Sequence, residues 1–130
     1  MKIPPYYYNE ETLQTHVINY LKDNYPKVRY CASLGGQYIP KWQKRTLAKK
    51  GRSGYVAGFP DIQITEARGG YHGLFIELKY TKRDYPSHEQ KNWLKDLEDR
   101  GYKAVCNKGY EQTINTINEY LQKDETKSTT

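Results

Sequence analysis

The sequence predicts an α/β domain in which a four-stranded mixed sheet is flanked by helices. Two kinds of segment support this fold class: some carry apolar residues at helical spacing, and others alternate or run continuously apolar, as strands do. They follow one another in the order helix, three strands, helix, strand, helix. A three-strand meander followed by a crossover helix and a fourth strand gives a sheet with antiparallel and parallel pairs, covered on both faces.

The first helix is predicted over residues 10–22. Asn9 is a typical N-cap residue, and Glu10 and Glu11 place acidic side chains in the first turn. The apolar residues that follow are spaced to share one helix face: Leu13, Val17, Tyr20 and Leu21. Pro26 follows shortly afterwards and predicts that the helix has ended by then.

Three strands come next. Residues 28–34 alternate between apolar and polar side chains and stop at a Gly-Gly pair, and residues 61–65 alternate again. Residues 71–80 are apolar enough for a central strand, and Arg68-Gly69-Gly70 before them is a turn sequence. The last two strands are therefore predicted to form a hairpin.

A second helix is predicted after residue 87, because Ser87 and Gln90 have the spacing of a capping box. Its buried stripe would consist of Trp93, Leu94 and Leu97. Gly101 predicts its end, residues 103–106 form a short strand, and apolar spacing predicts a last helix over residues 110–121.

The length of 130 residues indicates a single domain, which we place at residues 1–122, with an exposed excursion at 35–58 and a flexible tail at 123–130. No stretch approaches the roughly 18 to 20 apolar residues of a membrane span, so we expect a cytoplasmic protein without membrane partners. Cys31 and Cys106 stand alone in strand-like sequence, which is more typical of small buried side chains than of a zinc site or a disulfide.

The basic charge is concentrated in one segment. The chain has a formal net charge of +6, and residues 41–52 (KWQKRTLAKKGR) carry six cations and no acid, while the rest of the chain has 15 basic and 15 acidic residues. The six cations are Lys41, Lys44, Arg45, Lys49, Lys50 and Arg52. Such a segment attracts polyanions, most often nucleic acid, and the alternative is a solvated charged loop. The neighbouring Tyr38, Trp42 and Tyr55 could stack on bases.

Two carboxylates and a lysine are predicted to meet in the hairpin. Asp61 lies about eight residues before the turn and Glu77 about eight after it, so the two are expected to lie opposite each other. Glu77 and Lys79 share a face of the strand, because side chains alternate with a period of two. Two carboxylates on rigid strands can hold a hard divalent cation, and an amine beside them can hold or polarise water. The alternatives are a buried Glu77–Lys79 pair without a ligand and, for Asp61, a simple strand-start residue.

A Glu-x-Lys triplet alone carries little information, since the chain contains three of them. Residues 77–79 lie in an apolar strand, whereas 89–91 and 125–127 lie in polar sequence. Charges within a central strand are costly unless a metal, a substrate or a partner satisfies them. Only the first triplet is therefore a candidate for catalysis.

Several of these motifs together resemble the virus-type replication-repair nuclease (VRR-NUC) domain, a branch of the PD-(D/E)XK nuclease superfamily. They are Gly-Phe-Pro-Asp at 58–61, Phe-Ile-Glu-Leu-Lys at 75–79, the segment 87–93 and the stop at Gly101. The resemblance covers residues 9–122. It implies the restriction-endonuclease-like αβββαβ core of the superfamily, here with an additional C-terminal helix. The excursion at 35–58, before Asp61, matches the pattern of the family less well.

The resemblance implies a role for each matching residue. Asp61 and Glu77 would bind Mg²⁺ or Mn²⁺, with the backbone carbonyl of Leu78 as a further ligand. Lys79 would position the attacking water or help to deprotonate it, and beside two carboxylates we assign it an electrostatic role ahead of a general-base role. Gln90 matches the glutamine of the family and would contact the metal site or the water.

The acid that the family carries in its first helix falls on Glu10 or Glu11. We prefer Glu10, because Leu13 and Val17 follow it at i+3 and i+7, which directs it inward. A plain interaction with the helix dipole is the alternative for this residue.

The resemblance to stand-alone members of the family further implies a homodimer that cuts branched DNA such as Holliday junctions, in a bacterial or virus-infected cell. Lys82 and Arg83, just past the strand, would contact the phosphate backbone. The alternatives are a catalytically silent nucleic-acid-binding module and a flap or sequence-specific endonuclease of the same fold.

Overall fold

A computed structural model of the chain describes residues 10–33 and 56–128, with side chains up to residue 122. The described helices are α1 (Glu10–Asn24), α2 (His88–Asp99) and α3 (Tyr110–Ser128). The strands are β1 (Tyr30–Ala32), β2 (Ile62–Ile64), β3 (Leu74–Lys79) and β4 (Lys103–Lys108). Their order along the chain is the predicted αβββαβα.

The four strands form one mixed sheet in the spatial order β1-β2-β3-β4. The pairs β1–β2 and β2–β3 are antiparallel, whereas β4 runs parallel to β3. Helix α2 makes the crossover that a parallel pair requires. The predicted α/β class, with a four-stranded mixed sheet and a C-terminal helix, is thereby confirmed.

The period of two in β3 divides the interior into two layers. Leu74, Ile76 and Leu78 face a large apolar cluster that includes Leu13, Val17 and Leu21 of α1 and Ile117, Tyr120 and Leu121 of α3. Phe75 faces a smaller cluster with Leu97 of α2 and Ala104 of β4. All six residues of β3 are buried, so the charged pair Glu77 and Lys79 lies in the interior of the central strand, on the Phe75 side.

The ends of α2 form as the sequence predicts. The Ser87 side chain accepts a hydrogen bond from the backbone N–H of Gln90, and the Gln90 side chain accepts one from the N–H of Ser87. After the helix, Gly101 adopts a φ of 95°, and a Cβ there would lie 2.6 Å from the His72 ring. The positive φ therefore favours glycine at this stop, and a side chain there would also have to displace the His72 ring.

Several predicted boundaries differ from the structure. Strand β1 covers three residues where alternation predicts 28–34. Of the described residues 28–33, only Tyr30–Ala32 pair with β2, and residue 34 lies outside the described part of the chain. The central strand begins at Leu74, since Arg68 and Tyr71 close the hairpin turn with a bridge of their own. Helix α3 continues to Ser128, past the end expected near residue 121. The domain limits 1–122, the excursion 35–58 and the tail 123–130 stay predictions.

Among the helices of the described part of the chain, none combines the length and apolar character of a membrane crossing. Cys31 and Cys106 are free thiols. Cys31 is exposed at the edge strand, so its expected burial was wrong, and Cys106 is half-buried.

Candidate active site

Three carboxylates from three elements meet at one end of the sheet. One carboxylate oxygen of each of Glu10, Asp61 and Glu77 lies within 4.8 Å of the others. The hairpin register explains two of them: Ile62 pairs with Ile76, so one further step places Asp61 opposite Glu77. Glu10 joins them from the first turn of α1, which packs against β3.

Asp61 is held rigidly although it precedes the first residue of β2. Its carbonyl accepts a hydrogen bond of 2.8 Å from the N–H of Ser33, and the carbonyl of Pro60 accepts one of 2.8 Å from the Ser33 hydroxyl. Its carboxylate oxygen Oδ2 accepts the backbone N–H of Leu78 at 2.7 Å. The backbone of Asp61 is therefore held by Ser33, which follows β1, and its side chain is oriented by β3.

Glu77 has two carboxylate oxygens in different environments. Oε2 accepts a hydrogen bond of 3.0 Å from Nε2 of Gln90. Oε1 is buried and has no hydrogen-bond partner among the described residues. A buried carboxylate oxygen without a hydrogen-bond partner lowers the stability of the fold unless a ligand binds it.

Lys79 supplies the only ammonium that forms ion pairs with this cluster in the described part of the chain. Its Nζ lies 3.5 Å from Oε1 of Glu10 and 3.6 Å from Oε2 of Glu77. Burial disfavours the charge of Lys79, yet the carboxylates of Glu10 and Glu77 outweigh burial, and the pKa of Lys79 is raised. The amine is therefore protonated at neutral pH.

The pKa values of the carboxylates move in the direction expected of crowded acids. Burial and the neighbouring Asp61 raise the pKa of Glu77 to about 9. Burial also raises the pKa of Asp61, although the hydrogen bond from Leu78 opposes it. Burial raises the pKa of Glu10, partly offset by Lys79. With a pKa of about 9, Glu77 holds a proton at neutral pH in the metal-free protein, and a divalent cation that displaces this proton would meet the same need for positive charge.

These residues fit a hard divalent cation. Three carboxylates offer the oxygen ligands that Mg²⁺, Mn²⁺ and Ca²⁺ prefer, and Glu77 contributes an otherwise unpartnered oxygen. The donor set contains neither sulfur nor imidazole, which would favour zinc.

Gln90 connects the carboxylates to the start of α2. Its amide oxygen accepts the N–H of Ser87 at 2.7 Å, so the amide nitrogen is directed to Glu77. The backbone N–H of Ser87 in the capping box therefore also orients a side chain that contacts the carboxylate cluster, which the capping pattern in the sequence did not indicate.

The structure brings together the five residues for which the sequence predicts catalytic roles: Glu10, Asp61, Glu77, Lys79 and Gln90. Of the two candidate acids in the first helix, Glu10 lies in the cluster and Glu11 is exposed. The Leu78 backbone contacts Asp61 through its N–H, and a ligand role for its carbonyl stays a prediction.

The predicted nucleic-acid contacts divide into two groups. Lys82 and Arg83 are exposed in the turn after β3, close to the carboxylates in sequence. The six cations of the basic segment lie outside the described residues: Lys41, Lys44, Arg45, Lys49, Lys50 and Arg52.

Lys108 was not among the residues predicted from the sequence. This residue pairs with Lys79 across the parallel β3–β4 register, so the two side chains project from the same face of the sheet. Its Nζ donates a 3.1 Å hydrogen bond to the carbonyl of Lys82 and lies 3.7 Å from the centre of the Tyr85 ring. A parallel register depends on contacts distant in sequence, so no local pattern could have revealed this position.

The chain is similar to known proteins of one family. The family model of the VRR-NUC domain matches residues 4–109. A solved structure described as a VRR_NUC domain protein is 34% identical, with a TM-score of 0.74, and the match covers 94% of this chain and 92% of that one. A second, described as a VRR_NUC domain, is 19% identical with a TM-score of 0.51, covering 82% of this chain and 96% of the other, and shows the fold alone. No match was found among the curated proteins.

Fold and site together define a nuclease-type α/β domain with an acidic cluster suited to a divalent metal. The chain belongs to the VRR-NUC domain family. The resemblance inferred from the sequence motifs is therefore confirmed.

Proposed function

We propose that this protein is a metal-dependent DNA endonuclease that hydrolyses phosphodiester bonds with Mg²⁺ or Mn²⁺ and selects its substrate by structure. The observation that supports this most strongly is the convergence of Glu10, Asp61 and Glu77, with an unpartnered buried oxygen on Glu77 and the ammonium of Lys79 beside it. Membership of a nuclease family supports the same chemistry.

Asp61 and Glu77 are the proposed metal ligands, with Glu10 as a third carboxylate and the Leu78 carbonyl as a further oxygen. When bound, a divalent cation supplies Lewis-acid activation of water and offsets charge at the phosphate. The protein fixes the ligands in advance: the N–H of Leu78 orients Asp61, and Gln90 orients Glu77. Such preorganisation removes a reorganisation cost from the reaction.

Lys79 has an electrostatic and positioning role in this proposal. Since the neighbouring carboxylates keep it protonated, it can donate hydrogen bonds to the attacking water or to a phosphate oxygen, and it opposes the negative charge that grows in the transition state. A protonated amine cannot accept the proton of the water, so general-base catalysis is not assigned to it.

Metal dependence and the assigned ligands are tested together by cleavage of labelled DNA. The native chain should cut with Mg²⁺ or Mn²⁺ and not with EDTA, and Asp61→Asn should lose at least about 100-fold in rate, since it removes a charged ligand. Glu89→Gln is the matched control, because Glu89 is an exposed acid of a second Glu-x-Lys triplet and should leave the rate unchanged. DNA binding without metal-dependent cutting would instead identify a catalytically silent binding module.

Branched DNA, such as a Holliday junction, is the substrate we propose, with a homodimer as the acting form. One chain supplies one set of carboxylates and can nick one strand, whereas resolving a four-way junction requires two sites related by a two-fold axis. Four-way junctions, flaps and linear duplexes should be compared at equal concentrations, with the mass in solution measured by light scattering. A strict monomer that prefers flaps would support the flap-endonuclease alternative, and dependence on base sequence would support the restriction-type one.

The cytoplasmic location stays a prediction.

A further inference from the structure

An exposed aromatic ring lies in the segment that follows the carboxylate-bearing strand β3. Tyr85 is 70% exposed, the highest value among the large hydrophobic residues for which the structure gives one. It lies between β3, which carries Glu77 and Lys79, and α2, which carries Gln90. At that exposure the ring contributes little to the hydrophobic core.

The ring nevertheless has a specific contact with β4. The ammonium of Lys108 lies 3.7 Å from its centre and covers one face, in a cation–π contact. The same ammonium donates to the carbonyl of Lys82 at 3.1 Å, which ties the segment to β4. Since Lys108 covers one face, the exposure of Tyr85 must come from its edge and its opposite face.

The ring is connected to the candidate active site in two ways, through Lys108 and through the chain to Ser87. On one side, Lys108 is the register partner of Lys79, and the N–H of Gly109 donates to the Lys79 carbonyl at 2.8 Å. On the other, Ser87 follows Tyr85 by two residues and holds Gln90 on Glu77. The ring thus lies one residue step removed, through Lys108 and through the chain to Ser87, from Lys79 and Gln90, which both contact Glu77.

We propose that Tyr85 is a stacking site for a nucleobase of the DNA strand being cut, held by Lys108, whose charge also attracts the adjacent phosphate. The inference rests on the proposed function and extends it to a named contact. An exposed ring face beside cationic groups is the arrangement by which proteins hold unpaired bases without reading sequence. The exposed Lys82 and Arg83 beside it provide further positive charge along the same segment.

The test combines changes in the protein with changes in the DNA. Tyr85→Ala should raise KM about 5- to 100-fold, as loss of one stacked base predicts, with a much smaller effect on kcat, whereas Tyr85→Phe should stay within about threefold of the native chain. A single abasic residue, moved along the cut strand, should reproduce the loss at one position near the cleaved bond. At that position the abasic substrate and Tyr85→Ala should together lose no more than either alone.

Tyr71→Ala is the matched control. Tyr71 is also partly exposed and has the ammonium of Lys103 5.5 Å from its ring centre, but it lies at the opposite end of β3 and β4. It should leave KM unchanged.

The outcomes separate this inference from the proposed function. If the native chain cuts DNA and Tyr85→Ala cuts equally well, the stacking site is overturned and the nuclease is retained. Tyr85→Ala could instead lose activity while the abasic residue causes the same fold loss in this variant as in the native chain. Tyr85 would then only hold the segment in position, and stacking is again overturned. If the native chain does not cut, quenching of 2-aminopurine on binding by the native chain but not by Tyr85→Ala still supports stacking, and equal fluorescence in the two overturns it.

Discussion

At the scale of single residues, the carboxylates that suit the protein to its chemistry are unfavourable for its stability. Glu77 is only 1% exposed, lies beside Asp61, and has one oxygen without a hydrogen-bond partner among the described residues. Lys79 offsets part of this charge. The remainder disfavours the folded, metal-free protein, so metal binding and folding stability are expected to be linked.

The stability of the metal-free protein should fall as the pH rises. Burial and Asp61 raise the pKa of Glu77 from its ordinary 4.5 to about 9, so between these values the folded state holds more protons than the unfolded chain. Destabilisation therefore begins above pH 4.5 and is complete near pH 9. The pKa values of Asp61 and Glu10 shift in the same direction. Unfolding by urea in EDTA at about pH 5, 7 and 9 measures the trend.

Glu77→Gln should flatten this pH dependence and stabilise the metal-free protein near pH 8 by more than about 1 kcal/mol, since one pKa unit corresponds to about 1.4 kcal/mol. It should also abolish the stabilisation that Mg²⁺ or Mn²⁺ gives the native chain. Glu89→Gln, at an exposed position, should change neither property. A native chain whose stability rises from pH 5 to pH 9 more steeply than that of Glu77→Gln would contradict this account.

The first-helix acid can be tested with two neighbouring variants. Glu10→Gln removes a carboxylate that lies within 4.8 Å of the other two and pairs with Lys79, and it should weaken metal binding and cleavage about 10- to 100-fold. Glu11→Gln makes the same chemical change one residue along, at an exposed position, and should have no effect. Both enzymes should be assayed over a range of Mn²⁺ concentrations. Equal losses in the two variants would indicate a dipole effect of the helix start instead of a metal role.

At the scale of secondary-structure elements, a feature could be predicted from the sequence when the residues that determine it lie close together in the chain. The capping box at Ser87, the stop at Gly101 and the hairpin that sets Asp61 opposite Glu77 depend on residues within about 20 positions of each other, and these features were predicted. The pairing of Lys79 with Lys108 depends on a crossover and a parallel register, for which the sequence carries no turn signal. The position of Tyr85 was missed for the same reason.

The short β1 shows how tertiary structure overrides a local pattern. Alternation continues through residues 28–34, but among the described residues 28–33 only Tyr30–Ala32 pair with β2, which itself has three residues. Beyond this pairing, Ser33 uses its N–H and hydroxyl to fix Asp61 and Pro60. The end of the edge strand therefore contributes to the position of the site.

The start of α2 should couple helix capping to metal binding. Ser87→Ala removes the acceptor for the Gln90 N–H and should cost about 1 kcal/mol of stability. The backbone N–H of residue 87, which the Gln90 amide oxygen accepts, is kept, so the orientation of Gln90 on Glu77 is loosened through fraying of the uncapped first turn. Metal affinity of the folded protein should therefore fall several-fold, as expected for a residue that orients a ligand. Ser87→Thr keeps the acceptor and should preserve affinity.

The two effects are separated by titrating metal at a temperature where both variants are fully folded. Loss of stability without loss of metal affinity in Ser87→Ala would restrict Ser87 to a capping role.

At the scale of the whole molecule, the positive charge is distributed unevenly. Residues 41–52 contain the entire formal excess of +6, and the other residues balance. The carboxylate cluster repels a phosphate chain, so a nearby excess of cations would favour its approach. The segment lies outside the described residues, and its role is inferred from its charge.

Replacing four of these cations by alanine should weaken DNA binding at low salt and reduce the salt dependence of binding. The slope of log K against log salt falls by about 0.9 for each duplex phosphate contact that is lost. Metal affinity, measured without DNA, should stay as in the native chain, because the ligands are elsewhere. The four positions are Lys44, Arg45, Lys49 and Lys50.

A control with the same change in net charge separates a specific contact from a general effect of charge. Four exposed cations outside the basic segment are suitable for it: Lys22, Lys27, Arg29 and Lys95. The first two lie at or beyond the carboxyl end of α1, roughly 15 Å or more from Glu10, since a helix rises about 1.5 Å per residue. If both quadruple variants lower the salt slope equally, net charge alone accounts for binding. A lower slope only in the first variant identifies residues 41–52 as the DNA contact.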